Sequence, residues 1–105
     1  VKRGEIWFVD VGRGGDRPVL VLTRDPVADR IDVVVVARLT TTIRGLTSEL
    51  RLGPGDGLKQ ECVVSFDNLH TIPRSSFRRR VAMLRRSRLD EACDRLADAL
   101  GCGDR

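Results

Sequence analysis

A chain of 105 residues and 11.7 kDa holds one small domain, and with 41% apolar and 32% charged residues it has enough core to fold in water. Its longest apolar run, Val33–Ala37, is far below the ~20 residues that span a bilayer, so no membrane partner is expected. The net charge of +4 comes from 17 arginines and two lysines against 15 acids, a balance that suits a polyanion partner and equally a G+C-rich genome.

In chain order, Glu5–Val11 is β-branched and aromatic and reads as a strand. Gly12–Asp16 is a basic, glycine-rich loop. Pro18–Thr23 reads as a second strand with Pro18 at its first position, where a missing N–H is tolerated. A turn around Pro26 spans Asp25–Asp29. Ile31–Ala37 is apolar on both faces and is expected in the middle of a sheet. Arg38–Gly45 is a threonine-rich strand end running into a loop.

Ser48–Leu52 alternates with period two, the mark of a half-buried strand, and Gly53–Gly57 is a turn. Gln60–Phe66 reads as a fifth strand ending at Asp67-Asn68. His70–Ile72 is a short extended piece stopped by Pro73, and Val81–Leu84 is the last strand. Leu89, Ala92, Cys93, Leu96, Ala97 and Leu100 recur at helical spacing. Ser87 with Asp90 resembles a capping box, Asp90 and Glu91 are expected in the first turn, and Gly101 closes the helix. Five or six short strands and one terminal helix predict a mainly β protein, a small, strongly bent barrel or sheet with the helix packed on it.

The chemistry available to such a chain is restricted. It has no GxSxG elbow, no HExxH and no Walker loop. Its single histidine and its odd set of Cys62, Cys93 and Cys102, without CxxC spacing, suggest neither a metal site nor a disulfide framework. A reducing cytoplasm is the expected compartment, since Glu5 and Asp10 interrupt the stretch where a signal peptide needs apolar residues. No cofactor is expected. What remains is arginine, hydroxyls, carboxylates and His70. That inventory suits RNA cleavage, because RNA carries its own nucleophile in the 2′-OH. A protein then has to align the attack, stabilise the charge that gathers on phosphorus and assist proton transfer.

Four segments in order carry a family resemblance. Lys2-Arg3-Gly4-Glu5-Ile6-Trp7-Phe8-Val9-Asp10 resembles the N-terminal signature of the MazF/PemK toxins. Arg17-Pro18 followed by Val19-Leu20-Val21-Leu22-Thr23 is similar to the second, an Arg-Pro entering an apolar strand. Ala37-Arg38-Leu39-Thr40-Thr41-Thr42 resembles the third, an apolar strand ending in a hydroxyl residue. The segment from Val63 to Ile72, with Asp67-Asn68 and His70, resembles the fourth. Together they span nearly the whole chain, which implies a single domain over residues 1–105 and an SH3-like barrel of the CcdB/PemK type with a C-terminal helix.

The resemblance implies a homodimeric toxin of a type II toxin–antitoxin system that cuts single-stranded RNA at short sequences without metal. The products carry a 2′,3′-cyclic phosphate and a 5′-OH, and a cognate MazE-like antitoxin blocks the RNA groove. By position, the catalytic residues are Arg17 and Thr40. Contacts to RNA are expected from Arg13, Arg38, Thr41, Asp67, Asn68 and His70. The run Arg78-Arg79-Arg80 is expected to attract RNA or to receive the antitoxin.

Plainer roles compete at each position. Thr40 suits a strand-end hydroxyl bonded to nearby backbone, Asp67-Asn68 suits an Asx turn, and an arginine run suits a solvated face. His70 stands where the family usually has arginine, and the Gly12–Asp16 loop is shorter than usual. Trp7 and Phe8 read as core or dimer interface rather than as platforms for bases. Two other functions are weighed: a CcdB-like toxin that binds gyrase, and a non-catalytic RNA-binding barrel. The first lacks the Arg-Pro and Thr pair. The second usually has lysine-rich tails, whereas only two lysines occur here.

Overall fold

The alternation of apolar and polar residues becomes six strands: β1 (Glu5–Asp10), β2 (Asp16–Val21), β3 (Val33–Thr40), β4 (Glu49–Leu52), β5 (Cys62–Pro73) and β6 (Phe77–Met83). One helix, α1 (Arg86–Leu100), follows. The computed structural model describes residues 1–12, 15–25 and 30–102. All strand pairs are antiparallel, in the order β4-β5-β3-β2-β1-β6, and the sheet curls as a half-barrel. The expected mainly β architecture with a terminal helix is therefore observed, with β3 in the interior of the sheet.

Successive side chains of a strand point to opposite faces, so the sheet has two apolar surfaces. Ile6, Leu20, Ala37, Leu39, Leu50, Leu52, Val64 and Phe66 line one of them, and α1 lays Leu89, Ala92, Leu96 and Ala99 against it. Val9, Val19, Val21, Val34 and Val36 line the other, with Trp7 and Phe77 packed edge to face at 5.7 Å. Burying each such side chain stabilises the fold by roughly 1.5–3 kcal/mol.

Several element boundaries differ from the sequence reading. β2 begins at Asp16, so Pro18 is its third residue, and β3 extends to Thr40. The last strand starts at Phe77 rather than Val81. β5 does not stop at Asp67-Asn68 but runs through to Pro73, absorbing the piece read as separate. The reason is a bulge. Ala37 pairs with Leu69 and the next residue, Arg38, pairs with Ser65, so Phe66, Asp67 and Asn68 are extra residues on β5. The helix starts one residue before the expected cap, after Arg85, and without a side-chain cap. Asp90 and Glu91 consequently lie beyond its first turn, where Asp90 pairs with Arg86 and Glu91 with Arg88. Gly101 closes the helix in the left-handed region, φ 71°, as expected. The turn around Pro26 lies outside the described residues.

Candidate active site

The face of the sheet away from α1 carries several of the residues singled out from sequence. Trp7 of β1 pairs with Val19 of β2, Val19 with Arg38 of β3, Arg38 with Ser65 of β5, and Ser65 with Glu49 of β4. Paired residues share a face, so this row crosses five strands on one side. Arg17 lies two residues from Val19 and Thr40 two residues from Arg38, in the same spatial direction because β2 and β3 are antiparallel. Both side chains therefore emerge on the row's own face, one step further along adjacent strands.

A cleft of about 390 Å³ opens at the Thr40 end of this row. Arg38, Thr40 and Ser65 form its floor, Asp67 and Asn68 of the β5 bulge form one wall, and Thr42, Arg44 and Leu46 of the following loop form the other. Of the residues named from sequence, Arg38, Thr40, Asp67 and Asn68 line the cleft together. Arg17 shares the face but not the lining, and its Nη1 donates to the Asp16 carbonyl at 3.4 Å.

Hydrogen bonds organise the polar groups of the cleft. Thr40 Oγ1 accepts the N–H of Thr42 at 3.1 Å, the plain strand-end role. Accepting on one lone pair leaves the hydroxyl hydrogen available to donate into the cleft. The two carboxylates are already engaged. Glu49 Oε1 accepts the N–H groups of Arg44, Gly45 and Leu46, and Asp67 Oδ2 accepts the Ser48 hydroxyl. Arg38 and Arg44 have no carboxylate partner among the described residues, so their N–H groups are available to a phosphate, while Glu49 and Asp67 balance their charge in the cleft.

His70 stands beside the cleft rather than in it: its Nε2 lies 2.8 Å from Asn68 Oδ1. Thr41 is exposed just past Thr40 and does not line the cleft. Arg13 lies outside the described residues. Arg78, Arg79 and Arg80 sit on β6, at the opposite edge of the sheet, and each is engaged. Arg78 pairs with Asp10 at 2.9 Å, Arg79 stacks 4.8 Å over the Phe8 ring, and Arg80 pairs with Glu5 at 3.0 Å. The backbone N–H of Gly12 and then the Arg78 guanidinium hold the Asp10 carboxyl below its ordinary range. No disulfide joins the three cysteines. Burial, with Asp56 nearby, pushes the pKa of the Cys62 thiol up and leaves it an inert core group.

Sequence reasoning passed over Ser48, Glu49, Ser65, Thr42 and Arg44. The only local signal was an acid at the buried end of an alternating strand, Glu49. An ionised group at 8% exposure needs strong partners, and those partners come from a loop whose shape no periodicity reveals.

Comparison with known proteins agrees with the fold. Residues 2–100 match the family described as PemK-like, MazF-like toxin of type II toxin–antitoxin system. Over 103 residues the chain is 57% identical to a Mycobacterium tuberculosis protein named "Probable endoribonuclease MazF2", covering 97% of this chain and 100% of that one. Its fold is similar to that of the Mycobacterium tuberculosis toxin MazF-mt6, with a TM-score of 0.85 and 35% identity over 92% of this chain and 96% of that one. It is equally similar to a mycobacterial endoribonuclease solved in complex with its cognate antitoxin, with a TM-score of 0.86 and 28% identity over 96% and 95% of the two chains. The chain belongs to the PemK-like, MazF-like toxins of type II toxin–antitoxin systems.

Proposed function

We propose that the chain, as a single toxin domain, is a metal-independent endoribonuclease that cuts single-stranded RNA in the cleft beside Thr40. The observation that carries this reading is the placement of Arg17 and Thr40 on one face, each one step beyond the Val19–Arg38 pair, next to a cleft lined by two guanidinium groups without a carboxylate partner among the described residues. The names of the relatives support RNA cleavage over the gyrase-binding alternative.

In this reading the backbone phosphate adjoining a 2′-OH lies between the two side chains. The 2′-oxygen forms a bond to phosphorus and gives up its proton to solvent, while the bond from phosphorus to the 5′-oxygen breaks and that oxygen takes a proton from solvent. A 2′,3′-cyclic phosphate and a 5′-OH result. Arg17 stabilises the charge on the equatorial oxygens with its planar fork, and the Thr40 hydroxyl donates to one of them. Arg17 holds charge rather than accepting a proton, because a guanidinium offers N–H donors and no acceptor. Arg38, Asp67 and Asn68 contact the flanking nucleotides, with His70 orienting Asn68 and Thr41 at the exit. Arg78, Arg79 and Arg80 lie on the other edge of the sheet from the cleft and serve as the surface that attracts RNA or receives the antitoxin.

A cognate antitoxin, a homodimeric assembly and a cytoplasmic setting belong to the same proposal. It is supported by the relative solved with its cognate antitoxin. No helix of the described residues is long and apolar enough to cross a membrane.

The test is incubation of the purified protein with a mixed single-stranded RNA in EDTA, followed by mapping of 5′ ends. Discrete cuts bearing 5′-OH groups are expected, and Arg17→Ala and Thr40→Ala should abolish them while the protein stays folded. Intact RNA with a folded wild-type protein overturns the reading.

A further inference from the structure

The loop that forms one wall of the cleft buries no large apolar side chain completely. Ile43 and Leu46 are 37% and 48% exposed, so packing holds it only in part. The Leu46 carbonyl accepts the Glu49 N–H and the Thr47 carbonyl accepts from Arg95, but the most connected group is one buried carboxylate. Glu49 Oε1 accepts the backbone N–H groups of Arg44 at 3.2 Å, Gly45 at 2.9 Å and Leu46 at 3.2 Å. Consecutive N–H groups converge on one anion only when the chain curls tightly. Here Gly45 supplies that curl with φ +73°.

The residue before Glu49 acts on the facing wall, since the Ser48 hydroxyl donates to Asp67 in the β5 bulge. The start of β4 thus grips both walls from below, while Thr42 and Arg44 of the held loop face into the cleft.

We propose that Glu49 is a positioning residue of the cleft, holding the loop around Gly45 in the shape that binds RNA. This rests on the RNA-cleaving function proposed above. The carboxylate acts through the loop and touches neither the phosphate nor a transferred proton. Its second oxygen makes no hydrogen bond among the described residues, so a glutamine fits with its amide nitrogen there and its carbonyl oxygen at the loop.

The test compares Glu49→Ala, Glu49→Gln and Gly45→Ala with the wild type on a short RNA containing its preferred cut site, with amide hydrogen exchange read on each protein. Glu49→Ala should raise KM by roughly tenfold, the worth of about one net hydrogen bond, with kcat little changed and the pH profile kept. Exchange should accelerate at Arg44, Gly45 and Leu46 and not in β3. Glu49→Gln should restore KM to within about threefold, because it keeps the acceptor. Gly45→Ala should raise KM in the same way while leaving the carboxylate untouched, and it carries the test if the alanine variant at 49 does not fold.

An unchanged KM in Glu49→Ala or in Gly45→Ala overturns the proposal. So does a glutamine variant as inactive as the alanine one with an altered pH profile, which would make Glu49 an acid–base group. A wild type that cuts no RNA removes the function instead, and exchange at 44–46 then decides the loop's anchorage by itself.

Discussion

Arg80 on the edge strand β6 donates to Glu5 Oε2 on β1 at 3.0 Å, across the pair of strands that closes the sheet. The other oxygen of the same carboxylate accepts the Lys2 N–H and the Trp7 indole N–H. Burial by itself raises the pKa of Glu5, but Arg80, then Lys2 and Trp7 outweigh it and hold the carboxyl below its ordinary range. A group depressed in the folded state favours folding when ionised. Its contribution is full above the ordinary glutamate pKa of about 4.3 and is lost as pH falls through the folded-state value. Thermal unfolding followed from pH 7 to pH 3 should show this loss. Arg80→Ala should shrink it and cost about 1 kcal/mol at pH 7, modest because the guanidinium faces solvent.

Arg88 gathers the start of α1, the turn after β4 and β4 itself. Its Nε contacts Asp56 at 3.0 Å, its Nη1 contacts Glu91 at 2.6 Å, and its Nη2 donates to the Arg51 carbonyl. Burial disfavours its charge, yet Glu91 and Asp56 more than offset this and push its pKa up. Urea denaturation of Arg88→Ala should show a loss of roughly 2–3 kcal/mol, since Asp56 is left half-paired in a mostly buried setting. Arg88→Lys should recover less than half of it, because an ammonium cannot serve three directions with a planar fork.

Gly4 explains one letter of the N-terminal signature. It sits at φ +89°, its N–H donates to the Val21 carbonyl and its own carbonyl accepts the Leu84 N–H, both at 2.9 Å. A Cβ there would lie 3.4 Å from Leu89 Cδ2 and 3.6 Å from Met83 Cε. Gly4→Ala should therefore destabilise by roughly 1–2 kcal/mol through the left-handed backbone, measured as a lowered thermal midpoint. It should leave the cleft chemistry of the folded fraction intact.

Thr40 is separable into its two hydrogen-bond roles. Thr40→Ser keeps the acceptor for Thr42 and the donor for a phosphate oxygen, and should retain most of kcat. Thr40→Val keeps the shape and loses both, and kcat should fall by roughly 10²–10³, the usual worth of a donor to a developing oxyanion. Single-turnover cleavage of a short RNA reads the difference directly. Equal rates for the two variants would remove Thr40 from the chemistry.

Much of the fold was legible because strands and helix bury their apolar faces at fixed periods. The alternation in Ser48–Leu52 and the helical spacing from Leu89 to Leu100 correspond to β4 and α1. Boundaries failed where tertiary pairing overrode local signals. Pro18, which read as a strand start, sits inside β2. Asp67-Asn68, which read as a strand end, became a bulge because β5 pairs with β3 on both sides of it. Ser87 read as a helix cap, but α1 begins before it, with Arg88 anchored to Asp56 and β4.

The same division runs through the site. Arg17, Arg38, Thr40, Asp67 and Asn68 were recognisable from residue type, order and family resemblance, properties that are local to each segment. That Arg17 and Thr40 share a face was settled by the pairing of Val19 with Arg38, a contact between strands that lie far apart in the chain. Glu49 as an anchor, and the separation of Arg78–Arg80 from the cleft, emerged only from the folded sheet. The physical reason is common to both: residue type and periodicity act within a segment, whereas the partner of a buried charge is chosen by strand order and loop closure.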